Sequence, residues 1–241
     1  MNVFFQATLN RLRRISGMQV VGWILTLFLV YQLWLLLHVL WWKQHNPENS
    51  SFMRAGLERL KTDDPEATLE HQWIAYNRIA RPLKSAVIAA EDARFLQHQG
   101  FDWDGIEKAW DKDLQNHRII AGGSTISQQL AKNLFLSGRR TPWRKLEESL
   151  ITLMLEQLLS KHRIFEIYLN VIEWGDGIYG AESASEHYFN VHASQLSVHQ
   201  AAWLAAIIPN PRFYDEHRHS RHLLHKAAIL QRRMPQVEVP R

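Results

Sequence analysis

PLKSAVIAAEDARFLQH, residues 82–98, is the stretch on which the fold turns. Pro82 suits the first turn of a helix, and Leu83, Val87, Glu91 and Phe95 recur at i, i+4. That is one ridge of a 3.6-residue period, not the alternation of a strand, and it predicts a helix to about His98. Glu91 is out of place on an apolar ridge. A partly desolvated carboxylate has its pKa raised toward neutrality, as a general base needs if it is to take a proton from a hydroxyl near pH 7. An ion pair with Arg94 at i+3 is the plainer reading of the same residue. Asp92 points elsewhere and suits a cap or a pair equally well.

Helical signals continue outward from this segment. Thr141 and Pro142 form an N-cap and N1 pair for a helix from Trp143 to about Leu159, and Ser160 caps another through Val171. Ser197 with Gln200 makes a capping box before AAWLAAII, which Pro209 and Pro211 stop. A last helix is expected from about Arg218 to Met234. Convincing strand alternation is found nowhere, and Gly-bearing loops fall at 122–123 and 175–180. The fold class expected is mostly α, with residues 54–241 one domain behind a polar, turn-rich linker at 43–53. A composition 46% hydrophobic and 22% charged, with 11 Gly and 8 Pro, excludes disorder and collagen. The absence of Cys removes disulfides, thiolate metal sites and thiol nucleophiles, so the chemistry falls to oxygen and nitrogen groups.

On the N-terminal side, Gln19 to Trp42 contains no Asp, Glu, Lys or Arg. At 1.5 Å per residue such a helix is about 36 Å long, enough to cross a hydrocarbon core of ~30 Å. Trp23 near one end and Trp34, Trp41 and Trp42 toward the other match interfacial belts, and HVLWWKQHN offers no small-x-small cleavage site. Arg11, Arg13 and Arg14 precede the span while Lys43 follows it, which places residues 1–18 in the cytoplasm, 19–42 across the inner membrane and the rest in the periplasm. No ATP or nucleotide-sugar is available there, so a synthetic reaction needs a pre-activated, membrane-borne substrate. The net charge of +4 comes from the first 45 residues; the remainder balances at 24 bases and 24 acids, which argues against a nucleic-acid partner.

From Leu114 to Leu146 there is no acid, yet Arg118, Lys132, Arg139, Arg140, Arg144 and Lys145 are present. Six cations in an otherwise balanced domain suggest an anionic ligand, although a solvated basic face fits equally. Within the window lies GGSTISQQLAKN, residues 122–133, where Gly122 and Gly123 permit an unusual turn and Ser124 and Thr125 begin a helix. The free N–H groups and positive dipole end of such a helix suit phosphate. Gln128, Gln129, Lys132 and Asn133 are spaced to share one donor-rich face. In the next helix Glu148 has Arg144 at i−4 and Lys145 at i−3, cations expected to hold it ionised while apolar neighbours push Glu91 the other way. Ordinary helix ion pairs explain that arrangement too.

Together these segments resemble the peptidoglycan glycosyltransferases of family 51. E-D-x-x-F-x-x-H-x-G is matched by Glu91, Asp92, Phe95, His98 and Gly100; G-G-S-T-I-x-Q-Q-L-x-K-N by Gly122 to Asn133; R-K-x-x-E by Arg144, Lys145 and Glu148; and a fourth motif by Lys161 to Phe189. The resemblance implies a lysozyme-like helical domain on the outer leaflet, acting on lipid II and the growing glycan strand. It assigns Glu91 as base on the acceptor's 4-hydroxyl. Lys132, Arg140, Arg144 and Lys145 become stabilisers of the departing diphosphate, with Ser124, Thr125, Gln128, Gln129 and Asn133 around the substrate. Glu148 is expected to orient those cations or a divalent ion, Mg2+ or Mn2+, with no organic cofactor. Membrane lipid and other cell-wall synthesis and division proteins are the further partners it suggests. No Ser stands three residues before a Lys, so a transpeptidase nucleophile is not expected. A lysozyme-like hydrolase and a silent anchored scaffold are the rivals; neither explains the acid-free cationic window together with Glu91 and Glu148. Asp102 and Asp104 form an accidental D-x-D, and His217, His219, His222 and His225 are expected on a solvated face.

Overall fold

A computed structural model describes residues 17–105, 107, 123–138 and 141–241. The structure is mainly helical, as the periodicity predicts. The first helix, α1 (Gly17–Trp41), is apolar on every side and largely uncovered; only Leu35 and Val39 of its residues are buried. Its C-terminal end rests on the rest of the chain. Trp34 and Trp42 lie 6.2 and 5.0 Å from the ring of Phe135, and the Arg163 guanidinium donates to the carbonyl oxygens of Trp42 at 2.8 Å and His45 at 2.6 Å. The Tyr31 hydroxyl donates to Glu147. The span is therefore fastened to the domain and does not hang from a loose tether.

The next helix, α2 (Ser51–Asp63), begins within the expected linker, because Ser50 Oγ accepts the Met53 N–H at 3.0 Å and Met53 is buried. α3 (Arg81–Glu91) ends at Glu91, a full turn and more before the predicted His98. The stop has a local cause: Asp92 adopts φ −162°, ψ 74°, and its carboxylate binds another segment. The chain continues through α4 (Ile126–Phe135), α5 (Pro142–Leu158), α6 (Lys161–Val171), α7 (Ala181–Phe189), α8 (Val198–Ile207), α9 (Pro211–Glu216) and α10 (Arg221–Arg233). Thr141, Ser160 and Ser197 cap α5, α6 and α8 as expected, and Ser220 caps α10 three residues later than its predicted start. Pro211 does not merely stop the chain but opens α9.

A three-stranded sheet corrects the expectation of no strands. Its order is β1 (Glu70–His71), β3 (Ile178–Tyr179), β2 (Glu173–Gly175), with β1 parallel and β2 antiparallel to β3. Two or three residues are too few for alternation to register in sequence. α8 is the centre of the core: Ala201 through Ile207 are buried, and the helix packs on α3 and α10. Burying one side of α3 there turns its C-terminal end, and Glu91, toward α4.

The accidental pairs resolve simply. Arg94 binds Asp102 at 3.3 Å and Asp104 at 2.7 Å, so the D-x-D is tied up in surface ion pairs and Arg94 is not the partner of Glu91. His217 stacks on Phe213, and His222 Nδ1 meets the Tyr214 hydroxyl at 3.0 Å.

Candidate active site

Glu91 is the last residue of α3, and its carboxylate oxygen Oε2 accepts a hydrogen bond from Gln129 Nε2 of α4 at 2.9 Å. The Gln129 carbonyl oxygen is held in turn by the Tyr168 hydroxyl of α6, also at 2.9 Å. This chain fixes the amide so that its donor faces the acid. Burial pushes the Tyr168 phenol well above its ordinary value, and the negative charges of Glu91 and Asp92 add to the rise, so it stays a donor. Burial likewise pushes the Glu91 carboxyl above the usual carboxylate range. The Gln129 amide and the positive charges of Lys226 and Lys132 oppose that rise, and Asp92 reinforces it. The hydrogen bond Glu91 accepts comes from a neutral amide, with cations near but acting through space.

Asp92, one residue on, is built for a different purpose. It is buried, one oxygen accepting from His98 Nε2 at 2.9 Å and the other from the backbone N–H of Ile126 at 3.0 Å. Thr125 Oγ1 donates to the Gly100 carbonyl at 2.7 Å, and Gly100 holds φ +88°, which a side chain would strain. These contacts tie the end of α3 to the start of α4 and thereby set Glu91 against Gln129.

They also correct the expected phosphate seat at the start of α4. Asp92 already occupies the Ile126 N–H, Thr125 Oγ1 accepts from the Gln128 N–H at 3.2 Å, and Gln128 Oε1 accepts from the Thr125 N–H at 3.0 Å. A carboxylate from the chain itself takes the positive helix end. Thr125 and Gln128 are buried in this cap, and Asn133 donates to the Gln129 carbonyl at 2.7 Å. Of the donor-rich face, Gln129 bonds to Glu91 and Lys132 acts on it through space. Lys132 Nζ lies 5.5 Å from the centre of the Phe52 ring. Ser124 is exposed just ahead of the cap, while Gly122, Arg118, Arg139 and Arg140 lie outside the described residues.

Glu148 belongs to a second cluster, on α5, which packs against α4. It is buried, and both oxygens are engaged: Arg144 Nη1 donates at 3.1 Å and Lys145 Nζ binds the other. Two cations on one carboxylate leave a net positive corner, with Lys145 half exposed. Arg144 Nε is buried without a hydrogen-bond partner among the described residues. The donor set does not fit a divalent ion, because Glu148 offers it no oxygen free of a cation. The other acidic grouping, Glu182, Glu186 and His192, is structural: Glu182 accepts from the Ala193 N–H at 2.9 Å and meets His192 at 2.7 Å.

Sequence reasoning missed Tyr168 and Lys226. Tyr168 falls inside the fourth motif but on a helix face that reads as plain core. Lys226 of α10 donates to the Ala206 carbonyl at 3.3 Å and projects its charge on Glu91 from a distant part of the chain, leaving no local signal.

A family model described as Transglycosylase matches residues 58–235. The chain is 62% identical over 216 residues to a biosynthetic peptidoglycan transglycosylase of Methylobacillus flagellatus, covering 90% of this chain and 94% of that protein. A protein of the same name from Laribacter hongkongensis is 61% identical, with 91% and 96% covered, and one from Chromobacterium violaceum 62%, with 88% and 93% covered.

Proposed function

The chain belongs to the transglycosylase family, and from that premise we propose a peptidoglycan glycosyltransferase reaction in which Glu91 is the base and the α4 and α5 cations receive the leaving group. The enzyme polymerises glycan strands. Lipid II, the growing strand and the surrounding membrane lipid are its partners. Glu91 takes the proton from the acceptor's 4-hydroxyl as that oxygen bonds to C1 of the donor sugar. The bond from C1 to the lipid diphosphate breaks, inverting the centre to a β-1,4 linkage, and the electron pair leaves on the diphosphate. Lys132, Arg144 and Lys145, with Arg140, balance that charge. Charge neutralisation is also what Mg2+ or Mn2+ would supply, and no step here is routed through an ion.

The observation that carries the reading is the Tyr168–Gln129–Glu91 chain. It positions by a neutral donor a carboxylate that burial keeps basic enough to accept a proton. We further place α1 across the inner membrane with the Arg11, Arg13 and Arg14 end in the cytoplasm. Exposed Trp143 and Leu146 on α5 line a small recess with Phe28 and Tyr31 of α1, so the cationic helix packs beside the span. The test is incubation of the full chain with labelled lipid II. A polymer that muramidase digests back to disaccharide units is expected. Absence of polymer, or release of free disaccharide in its place, overturns the reading.

A further inference from the structure

A cavity of about 470 Å³ lies between the last two turns of α1 and the start of α2. Trp34, His38 and Trp41 line one side of it, and Glu48, Asn49 and Arg54 the other. None of the groups assigned to catalysis above lines it, so it is a separate place in the molecule. Its position is defined by the span. Trp34 and Trp41 are exposed tryptophans at the end of an apolar helix, the depth at which indole rings settle between hydrocarbon and water. A cavity at that level is bathed in lipid headgroups at a local concentration no soluble ligand reaches.

The lining is unusual for carrying charge of both signs. Arg54 is exposed and its guanidinium donates to Ser51 Oγ at 3.0 Å, with further N–H donors to spare. Glu48 is exposed nearby along the same wall. His38 Nδ1 lies 2.9 Å from the Trp34 carbonyl oxygen, which only accepts, so Nδ1 carries the hydrogen and Nε2 of the neutral ring is an acceptor. The cavity therefore pairs one strong phosphate donor with two acceptors and the faces of two indoles, which attract cations.

We propose that this cavity seats the headgroup of a zwitterionic aminophospholipid, its phosphate on Arg54 and its primary ammonium among Glu48, His38 Nε2 and the tryptophan faces. Three headgroup classes are separated by this chemistry. Phosphatidylethanolamine satisfies both halves. Phosphatidylglycerol matches Arg54 but brings Glu48 no cation. Phosphatidylcholine brings a cation that has no N–H to donate to Glu48 or Nε2. A bound headgroup bridges α1 and α2, and so holds the span at a set height against the domain. The inference rests on α1 as a membrane span and is independent of the assignment of Glu91.

The experiment is native mass spectrometry of the full chain released from detergent after exchange into an equimolar mixture of phosphatidylethanolamine, phosphatidylglycerol and phosphatidylcholine, without lipid II. One retained phosphatidylethanolamine per chain is expected, favoured about fivefold or more over the other two. The double variant R54A/E48Q is expected to lose that retention roughly tenfold, the equivalent of about 1.4 kcal/mol. Both residues are exposed, and a circular-dichroism melt together with lipid II polymerisation in detergent, expected unchanged, reports that the variant is folded. Equal retention of the three lipids overturns the proposal, as does retention in R54A/E48Q equal to the parent's. Mole-for-mole displacement of the retained lipid by undecaprenyl diphosphate also overturns it, by assigning the cavity to substrate.

Discussion

Glu91 at the end of α3 and Glu148 near the start of α5 are carboxylates on either side of α4, and their surroundings differ in kind. Glu91 is partly buried, accepts from an amide, and feels Lys132 and Lys226 only through space. Glu148 is buried with a cation on each oxygen, both from its own helix at i−4 and i−3. A carboxylate clamped by two cations is occupied in holding them, whereas one that is desolvated and only lightly supported is a better proton acceptor. In the proposed reaction this difference gives the proton to Glu91 and makes Glu148 the post that holds Arg144 and Lys145.

The sharpest way to break this contrast is to remove each acid in turn. E91Q is expected to lower polymerisation of lipid II by on the order of a thousandfold, the range of a general base; substantial residual turnover dismisses Glu91 from that role. The same variant is expected to be more stable than the parent at neutral pH. The folded-state pKa of Glu91 is raised, so the ionised acid weakens the fold wherever it is charged. The gain in melting temperature is therefore full above that raised value and vanishes as pH falls toward the unfolded carboxylate value near ~4.3.

E148Q is expected to slow the reaction by roughly a hundredfold and, in contrast, to lower stability by about 2 kcal/mol because Arg144 loses a buried charged partner. An unchanged rate with reduced stability makes Glu148 purely structural. D92N is expected to cost about 1.5–3 kcal/mol, from weakened charged hydrogen bonds to the Ile126 N–H and His98, with a smaller effect on rate at temperatures where it stays folded. Circular-dichroism melts beside initial rates separate the three acids.

Much of this was legible in the sequence, and the failures have physical causes. Local signals were read correctly where local chemistry decides: the serine and threonine caps of α5, α6 and α8, the apolar span of α1, and the i−4, i−3 embrace of Glu148. Predictions failed where a distant residue competes. The ridge from Leu83 to Phe95 continues past Glu91, but Asp92 is drawn to the Ile126 N–H, 34 positions away, and the helix stops. The helix start at Thr125 has the composition of an anion site, yet that same carboxylate fills it. Tyr168 reaches Glu91 only through Gln129, a relation that no spacing rule contains.

The smallest expected effect tests the through-space half of the contrast. Lys226 sits on α10, which with α8 packs against α3, and its ammonium is held by the Ala206 carbonyl. Burial lowers its pKa, and the charge of Glu91 acts in the opposite direction. The two groups support one another's ionised forms, so Lys226→Met removes a force that keeps Glu91 from rising further. The sign is then fixed: the acid limb of the pH–rate profile moves to higher pH, the rate on that limb falls roughly two- to fivefold, and the plateau at alkaline pH changes little. A uniform drop at every pH instead places Lys226 on the substrate, and a profile identical to the parent's removes it from the electrostatics of Glu91. Lys226→Arg, which keeps the charge, is expected to restore the acid limb.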